Sequence, residues 1–502
     1  MLHYIGRRTA LSGLCAVFLC TCGLQAQDAG LALSTSVGYN TLRASLKLTP
    51  EQAKEAERLG REAAQAARAA HYADAMRFYA QGNAVMRNVE WTPDVEFASA
   101  LRGSLDHAMI SAKPGGNSSG AVTVSLTPLF TSDRMASAKL SATAVLMRGN
   151  QEAANLGPKT AIDPAKSPFS EKIEIPAEPD GNYVIQIRLT EADGTSPVAL
   201  RNAFVKDLPI HIEPLDAEAQ KLRARLAKMG SGGNPALPTA QYPLALYERA
   251  DRGEVNPRGY DFKTEFASAE EILDAVSAGR NPFAGKQGDF RRAYVSKVDG
   301  TLQPYRLFIP TSYDGSKPAP MVVALHGMGG DENSMFDSYG KELPRDAQTH
   351  GFIVAAPKGR EPASMYRGSA EQDVLDVMAE VEREYKIDRS RVYLMGHSMG
   401  GYGTWSIAMD HPELFAALGP ISGGGDASGM VKIKAVPQYV THGDDDRTVN
   451  VSASRTMVEA GKKAGAPITY VEVPGGSHVS VAQPAFAPMF DFFAKQARKD
   501  KQ

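Results

Sequence analysis

Residues Tyr393–Trp405 read YLMGHSMGGYGTW, and this stretch decides the reading of the chain. An apolar run stops at Gly396, and Ser398 stands among Gly396, Gly400, Gly401 and Gly403. The preceding RVYLM is a short β-branched and aromatic run of the kind that forms a buried strand. The following YGTWSIAMDHPELF fits a helix that ends at the His-Pro step. Strand, sharp turn and helix is the context in which a G-x-S-x-G serine is pushed outward as a nucleophile. Glycine at the flanks lets the two backbones approach closely and tolerates the strained turn. The same pattern recurs as GNSSG at Gly116–Gly120, but there a loop precedes and a strand (AVTVSL) follows, which is the wrong order.

Around Ser398 the chain alternates strands and helices. MVVALHG, FIVAAP, RVYLMG, AALGPIS, PQYVTHG and ITYVEVPG are short apolar strands, and RAYVSK and PYRLFIP flank VDGTLQ as an opening hairpin. Continuous apolar runs imply strands buried on both faces, so residues 286–502 are expected to form a doubly wound, mostly parallel α/β domain. Ligands in such sheets bind beyond the carboxyl ends of the strands. Four polar clusters fall there: LHGMGGDENS, GHSMGG, THGDDDRTV and PGGSHVS.

A serine hydroxyl needs an imidazole to take its proton, and the imidazole needs a carboxylate to fix its tautomer. His478 is the only histidine after the Asp444–Asp446 run, and it stands in a glycine-rich loop behind a strand. The order Ser398, Asp, His478 suits such a relay. His326, His397 and His442 are poorer bases. His397 must point away from the reacting face of Ser398, and His326 and His442 close strands, where they are expected to satisfy backbone groups. An oxyanion would need two backbone donors. Met399 N–H is expected to supply one and Met328 or Gly329, in the HGMGG turn, the other.

These motifs resemble the α/β-hydrolase superfamily over about the last 40% of the chain. Within it, LHGMGGDENS, RVYLMGHSMGGYGTW, HGDDDRTV and GGSH resemble polyhydroxyalkanoate depolymerase-like, feruloyl and acetylxylan esterases, some of which carry an immunoglobulin-like domain in front. The resemblance implies a Ser-His-Asp esterase acting through an acyl-enzyme, on a small-molecule or polymer ester, with no cofactor and no metal. The spacing in HGDDDRTV selects Asp446 as the acid and leaves Asp444 and Asp445 as turn residues. A serine peptidase of the prolyl oligopeptidase type is the alternative, although too few residues precede the domain for that group's propeller.

The rest of the chain sets the frame. At 502 residues it exceeds one ordinary core. A hydrophobic content of 43%, a charged content of 22% and a formal charge of −2 suit a globular protein and offer no footprint for nucleic acid. Arg7 and Arg8 before the apolar TALSGLCAVFLC read as a signal peptide over residues 1–26, the core being too short to span a bilayer. Cleavage after Ala26 places the mature protein outside the cytoplasm, secreted or periplasmic, without stable membrane insertion. Both the general secretory and the twin-arginine routes remain open, as does an uncleaved anchor. Cys15, Cys20 and Cys22 all lie in this segment, so signal removal leaves no cysteine, the alternative being an anchored chain that starts at a lipidated Cys22.

Residues 49–110 are expected to be helical, opening with a capping box at Thr49 and Gln52 and containing one tetratricopeptide-like unit at Ala70–Gly82. Residues 118–213 switch to period two and read as a small β-sandwich, immunoglobulin-like, whose strands include KLSATAVL and PVALRNAFV. Residues 214–285 form a helical connector around the linker GSGGNPALP.

Overall fold

The computed structural model describes residues 14–111, 120–230, 233–360 and 363–498; for residues 14–29 it describes the backbone alone. Arg7 and Arg8, and the first four residues of the second G-x-S-x-G copy, lie outside the described residues. So do the side chains of Cys15, Cys20 and Cys22. Leu14–Ser45 is one helix that runs through Ala26, and among the described residues no helix is long and apolar enough to cross a membrane.

Pro50–Arg68 starts where the sequence places it. Thr49 Oγ1 accepts from Gln52 N–H at 3.2 Å, and Gln52 Oε1 accepts from Thr49 N–H at 3.0 Å. This helix pairs with Tyr72–Met86, and the first helix inserts Tyr39 between them. The Tyr39 ring lies against Gly82, where a Cβ would come within 2.2 Å of its hydroxyl oxygen, so glycine is required at that contact. The tyrosine hydroxyl, cut off from water, donates to Ala56 O at 2.6 Å.

The helical region ends ten residues earlier than expected. After Pro93–Ala100, residues Leu101–Leu105 form strand β1, and Met109–Ile110 form β2. The alternating LRGSL finds a partner across the chain in β3 (Gly120–Pro128), with Leu101 opposite Pro128 and Leu105 opposite Val124. Strand β7 (Phe169–Ile175) completes this antiparallel sheet. The second sheet has β4 (Leu140–Arg148), β5 (Gln151–Asn155), β6 (Thr160–Ile162), β8 (Gly181–Thr190) and β9 (Val205–Ile212), together with β2. Val122, Val124 and Ile173 of the first sheet and Leu146, Ile185 and Ile187 of the second share one core. PVALRNAFV is not one strand. Val198–Leu200 and Arg201–Phe204 form short helical turns, and the strand starts only at Val205.

Helices Asp216–Met229, Leu237–Asp251 and Phe262–Ser277 connect these sheets to the last unit around a core of Leu222, Leu246, Phe262 and Leu273.

The last unit is an eight-stranded sheet. Its strands in chain order are β10 (Gly288–Val295), β11 (Leu302–Ile309), β12 (Ala319–Leu325), β13 (Ile353–Pro357), β14 (Ile387–His397), β15 (Ala417–Ile421), β16 (Gln438–Gly443) and β17 (Ile468–Val473). Their order across the sheet is β10-β11-β13-β12-β14-β15-β16-β17. The first hairpin is antiparallel, as is the β11–β13 pair, and the remaining pairs are parallel. Strand β12 shows why the apolar runs are unbroken. Met321, Val323 and Leu325 face one core, with helices Ser369–Glu384 and Met399–Asp410. Val322 and Ala324 face the other, with Ala482–Phe493.

A buried ion pair ties the opening hairpin to helix Ser369–Glu384. Arg292, 1% exposed, makes two hydrogen bonds to Glu384, at 2.5 and 2.6 Å, and its guanidinium carbon lies 3.7 Å from the centre of the Phe283 ring. Removing one partner strands the other charge, which costs about 3–5 kcal/mol. Arg292→Ala should therefore lower the unfolding free energy of this unit by about that amount, read from chemical denaturation, with Arg292→Met/Glu384→Leu losing much less. A loss below about 1 kcal/mol in the single variant would show that the pair is not structurally important.

Candidate active site

Strand β14 delivers Ser398 at its carboxyl end, and helix Met399–Asp410 starts on the next residue. Ser398 sits at φ 58°, ψ −118°, a left-handed-side conformation that costs a non-glycine residue of order 1–3 kcal/mol. The neighbours explain how it is held. A Cβ at Gly396 would lie 2.4 Å from Gly400 O, and one at Gly400 would lie 2.1 Å from Leu325 O. Strand and helix are thus in backbone contact, and only hydrogen fits between them.

Two further loops converge on the serine. His478, in the loop after β17, brings Nε2 to 2.8 Å from Ser398 Oγ. Its Nδ1 lies 2.7 Å from Oδ2 of Asp446, in the loop after β16. The two loops touch at glycines: a Cβ on Gly443 would meet Gly476 O at 2.1 Å, so the adjacent HG and GGSH segments can approach only there. With Nδ1–H donated to Asp446, Nε2 is left to accept the serine proton.

Asp446 is fully buried as a side chain and has a partner on each oxygen. Its Oδ1 accepts from Thr448 N–H at 2.9 Å and Val449 N–H at 2.8 Å. Its Oδ2 takes His478 and also faces His442 Nε2 at 3.1 Å. Burial alone would raise its pKa, but the hydrogen bonds from His442, His478 and Val449 N–H outweigh that and hold it well below the usual carboxylate range. Asp444 and Asp445 are turned elsewhere. Asp444 Oδ1 accepts from Gly475 N–H at 2.6 Å, and Asp445 pairs with Arg447.

His397 lies behind the site. Its Nε2–H donates to His478 O at 2.8 Å, and its Nδ1 accepts from Tyr339 OH at 2.8 Å. Burial above all lowers its pKa to about 4, so it stays neutral and holds the His478 backbone without competing as a base. His326 stands at the end of β12, with Nε2 2.6 Å from Lys358 O, and contacts backbone as expected. His442 does not satisfy backbone alone. Beyond Val449 O at 2.9 Å it reaches the Asp446 carboxylate, a contact that its strand-end position gave no sign of.

The loop after β12 lies against the elbow, with Gly327 close enough that its Cβ would be 3.3 Å from Ser398 Cβ. Gly330 N–H closes the turn on Gly327 O at 3.1 Å, with Met328 and Gly329 at its tip and Gly329 at φ 78°. Met399, buried, opens its helix, so its N–H is among those a helix leaves without an intrahelical partner. This loop is braced from outside the eight-stranded unit. Tyr260 OH donates to Asp331 Oδ2 at 3.3 Å, and Arg291 bridges Glu265 of the connector at 2.5 Å and buried Glu332 at 3.1 Å. A cleft of about 470 Å³ is lined by Ser338, Tyr339, Gly340, Val479, Ser480 and Gln483 and does not include Ser398 or His478 in its lining.

Residues 365–435, which contain the elbow, match the model of the prolyl oligopeptidase family. The chain is 28% identical over 216 residues to the probable feruloyl esterase C of Aspergillus oryzae, a match covering 42% of this chain and 78% of that protein. It is 38% identical over 120 residues to feruloyl esterase B of Neurospora crassa, covering 22% of this chain and 40% of that protein. A bifunctional acetylxylan esterase/xylanase of Neocallimastix patriciarum is 31% identical over 135 residues, covering 26% of this chain and 20% of that protein. The chain thus spans well under half the length of these last two relatives. The crystal structure of a thermostable esterase aligns with 79% of this chain at a TM-score of 0.39 and 19% identity. The relatives the chain matches carry the names of ester-cleaving enzymes.

Proposed function

We propose that the protein is an ester hydrolase exported from the cytoplasm, acting on a small or polymer-linked carboxylic ester. The observation that carries this is the unbroken chain Asp446–His478–Ser398, at 2.7 and 2.8 Å, ending on a serine in a strained turn. Ser398 Oγ attacks the ester carbonyl while His478 Nε2 takes its proton. Met399 N–H, with Met328 or Gly329 N–H, stabilises the oxyanion. His478 then protonates the leaving alcohol, and water, activated by the same imidazole, releases the acid from the acyl-enzyme.

The two front sheets are read as an immunoglobulin-like sandwich that orients the catalytic unit. In support, Tyr183, near the start of β8, donates its hydroxyl back to Pro179 O at 2.8 Å, the tyrosine-corner arrangement of such domains.

A peptidase is the second reading, favoured by the prolyl oligopeptidase match around the elbow. Turnover of aryl esters of graded acyl length, feruloyl esters, acetylated sugars and peptide anilides by the purified protein separates the two. Esters should exceed matched anilides in kcat/KM by orders of magnitude; anilides cleaved as fast as esters would favour the peptidase.

A further inference from the structure

His442 occupies the penultimate position of β16 and is fully buried. Its two ring nitrogens have unequal surroundings. Nδ1 lies 2.7 Å from Ser454 Oγ, and that hydroxyl is in turn 2.9 Å from Gly423 O. Nε2 faces Val449 O at 2.9 Å and Asp446 Oδ2 at 3.1 Å. A carbonyl and a carboxylate only accept, so Nε2 must carry a hydrogen. The Ser454 hydroxyl has a single hydrogen. Given to Nδ1, it leaves His442 neutral; given to Gly423 O, it requires a second hydrogen on Nδ1 and makes the ring cationic. In both states the single Nε2–H bonds to Val449 O, and Nε2 lies 3.1 Å from the Asp446 oxygen that receives His478 Nδ1–H.

We propose that His442 is a positioning residue for Asp446, a second imidazole whose Nε2–H, bonded to Val449 O, lies 3.1 Å from Oδ2 and thereby sets both the orientation of the carboxylate and its pull on His478. The proposal rests on the reading of Asp446–His478–Ser398 as the catalytic relay. With Thr448 and Val449 N–H on Oδ1, the His442 contact leaves the carboxylate no direction in which to rotate. It also sets a second N–H beside Oδ2, which weakens its attraction for the His478 proton.

The charged and titratable neighbours are few. Besides Asp446 and His478, His397 of β14, Tyr402 of helix Met399–Asp410 and Glu472 of β17 interact electrostatically with His442 or Asp446. His397 is kept neutral by burial, and burial raises the Tyr402 hydroxyl and keeps it protonated. Glu472, opposite His442 in the β16–β17 register, has its pKa lowered to about 2 by hydrogen bonds from Arg455 and Tyr470 and stays charged. None of these changes charge between about pH 5 and 8, so none of them contributes to the acid limb of the rate.

The test compares wild type with His442→Leu and His442→Gln, the amide offering an N–H near the lost Nε2–H. Folding is checked by circular dichroism, and Ser398 by labelling with a fluorophosphonate. His442→Leu is expected to lose about 10- to 100-fold in kcat with KM little changed, the value of one polar contact to a carboxylate. Its acid limb should move to higher pH, because an unshared Asp446 holds the His478 proton more firmly. His442→Gln should recover most of the rate and return the limb toward wild type. A folded His442→Leu with unchanged kcat and pH profile overturns the proposal. Long-range nitrogen–proton NMR on histidine-labelled wild type provides a readout independent of activity and of any variant's folding. A hydrogen on His442 Nε2 is expected, and a bare Nε2 overturns the proposal. Failure of the fluorophosphonate to label Ser398 in wild type would instead overturn the relay reading.

Discussion

Ser398→Ala is expected to remain folded and to lose at least about 10³-fold in kcat on an aryl ester, with binding largely kept. The substitution removes one oxygen, whose contact is His478 Nε2 at 2.8 Å, and leaves the close-packed glycines of the elbow untouched. Alanine inherits the φ of 58°, and the backbone bonds that impose it, Ser398 N–H to Ile421 O at 2.9 Å and Gly401 N–H to Ser398 O at 2.8 Å, do not involve the hydroxyl. The residual rate would come from substrate binding and the oxyanion donors. Steady-state kinetics beside circular dichroism checks it; near-normal turnover in the folded variant would remove Ser398 from the chemistry.

Asp446→Asn should cost a comparable amount, on the order of 10⁴-fold, for a different reason. Thr448 and Val449 N–H point at one oxygen of Asp446. An asparagine must keep its carbonyl toward those two donors, which turns its NH₂ toward His478. His478 Nδ1 can then only accept, its hydrogen moves to Nε2, and the imidazole can no longer take the proton of Ser398. Geometry survives while the tautomer is wrong. Asp444→Asn and Asp445→Asn should stay within about threefold of wild type in kcat, since neither carboxylate touches the imidazole. Because the carboxyl of Asp446 is held well below its ordinary range, its own protonation should not limit the rate above about pH 4. A large loss in Asp444→Asn with a small one in Asp446→Asn would mean that the acid loop is threaded differently.

The elbow was legible because its signal is local: a β-branched run, glycines at fixed offsets and a helix-forming stretch all lie within twenty residues. The doubly buried sheet was legible from the unbroken apolar strands, which the structure divides between two cores residue by residue. What was not legible depended on partners far along the chain. LRGSL became a strand because β3 lies beside it, and ALRNAF coiled into short turns although its composition suits a strand. His442 and His397 look alike in sequence, each closing a strand before a small residue. Only the fold shows that one reaches the Asp446 carboxylate and the other the His478 carbonyl. The brace from Tyr260 and Glu265 to the loop after β12 crosses from connector to catalytic unit, and no spacing rule announces it.

The central claim is that Ser398 is the nucleophile that takes up the acyl group, and covalent trapping tests it most directly. The protein is treated with a fluorophosphonate, or stopped in acid during turnover of an aryl ester, then digested and mapped by mass spectrometry. One adduct per chain is expected, on the peptide containing Ser398 and absent from Ser398→Ala. An adduct of equal yield on another residue, or full ester turnover with Ser398 unmodified, would contradict it.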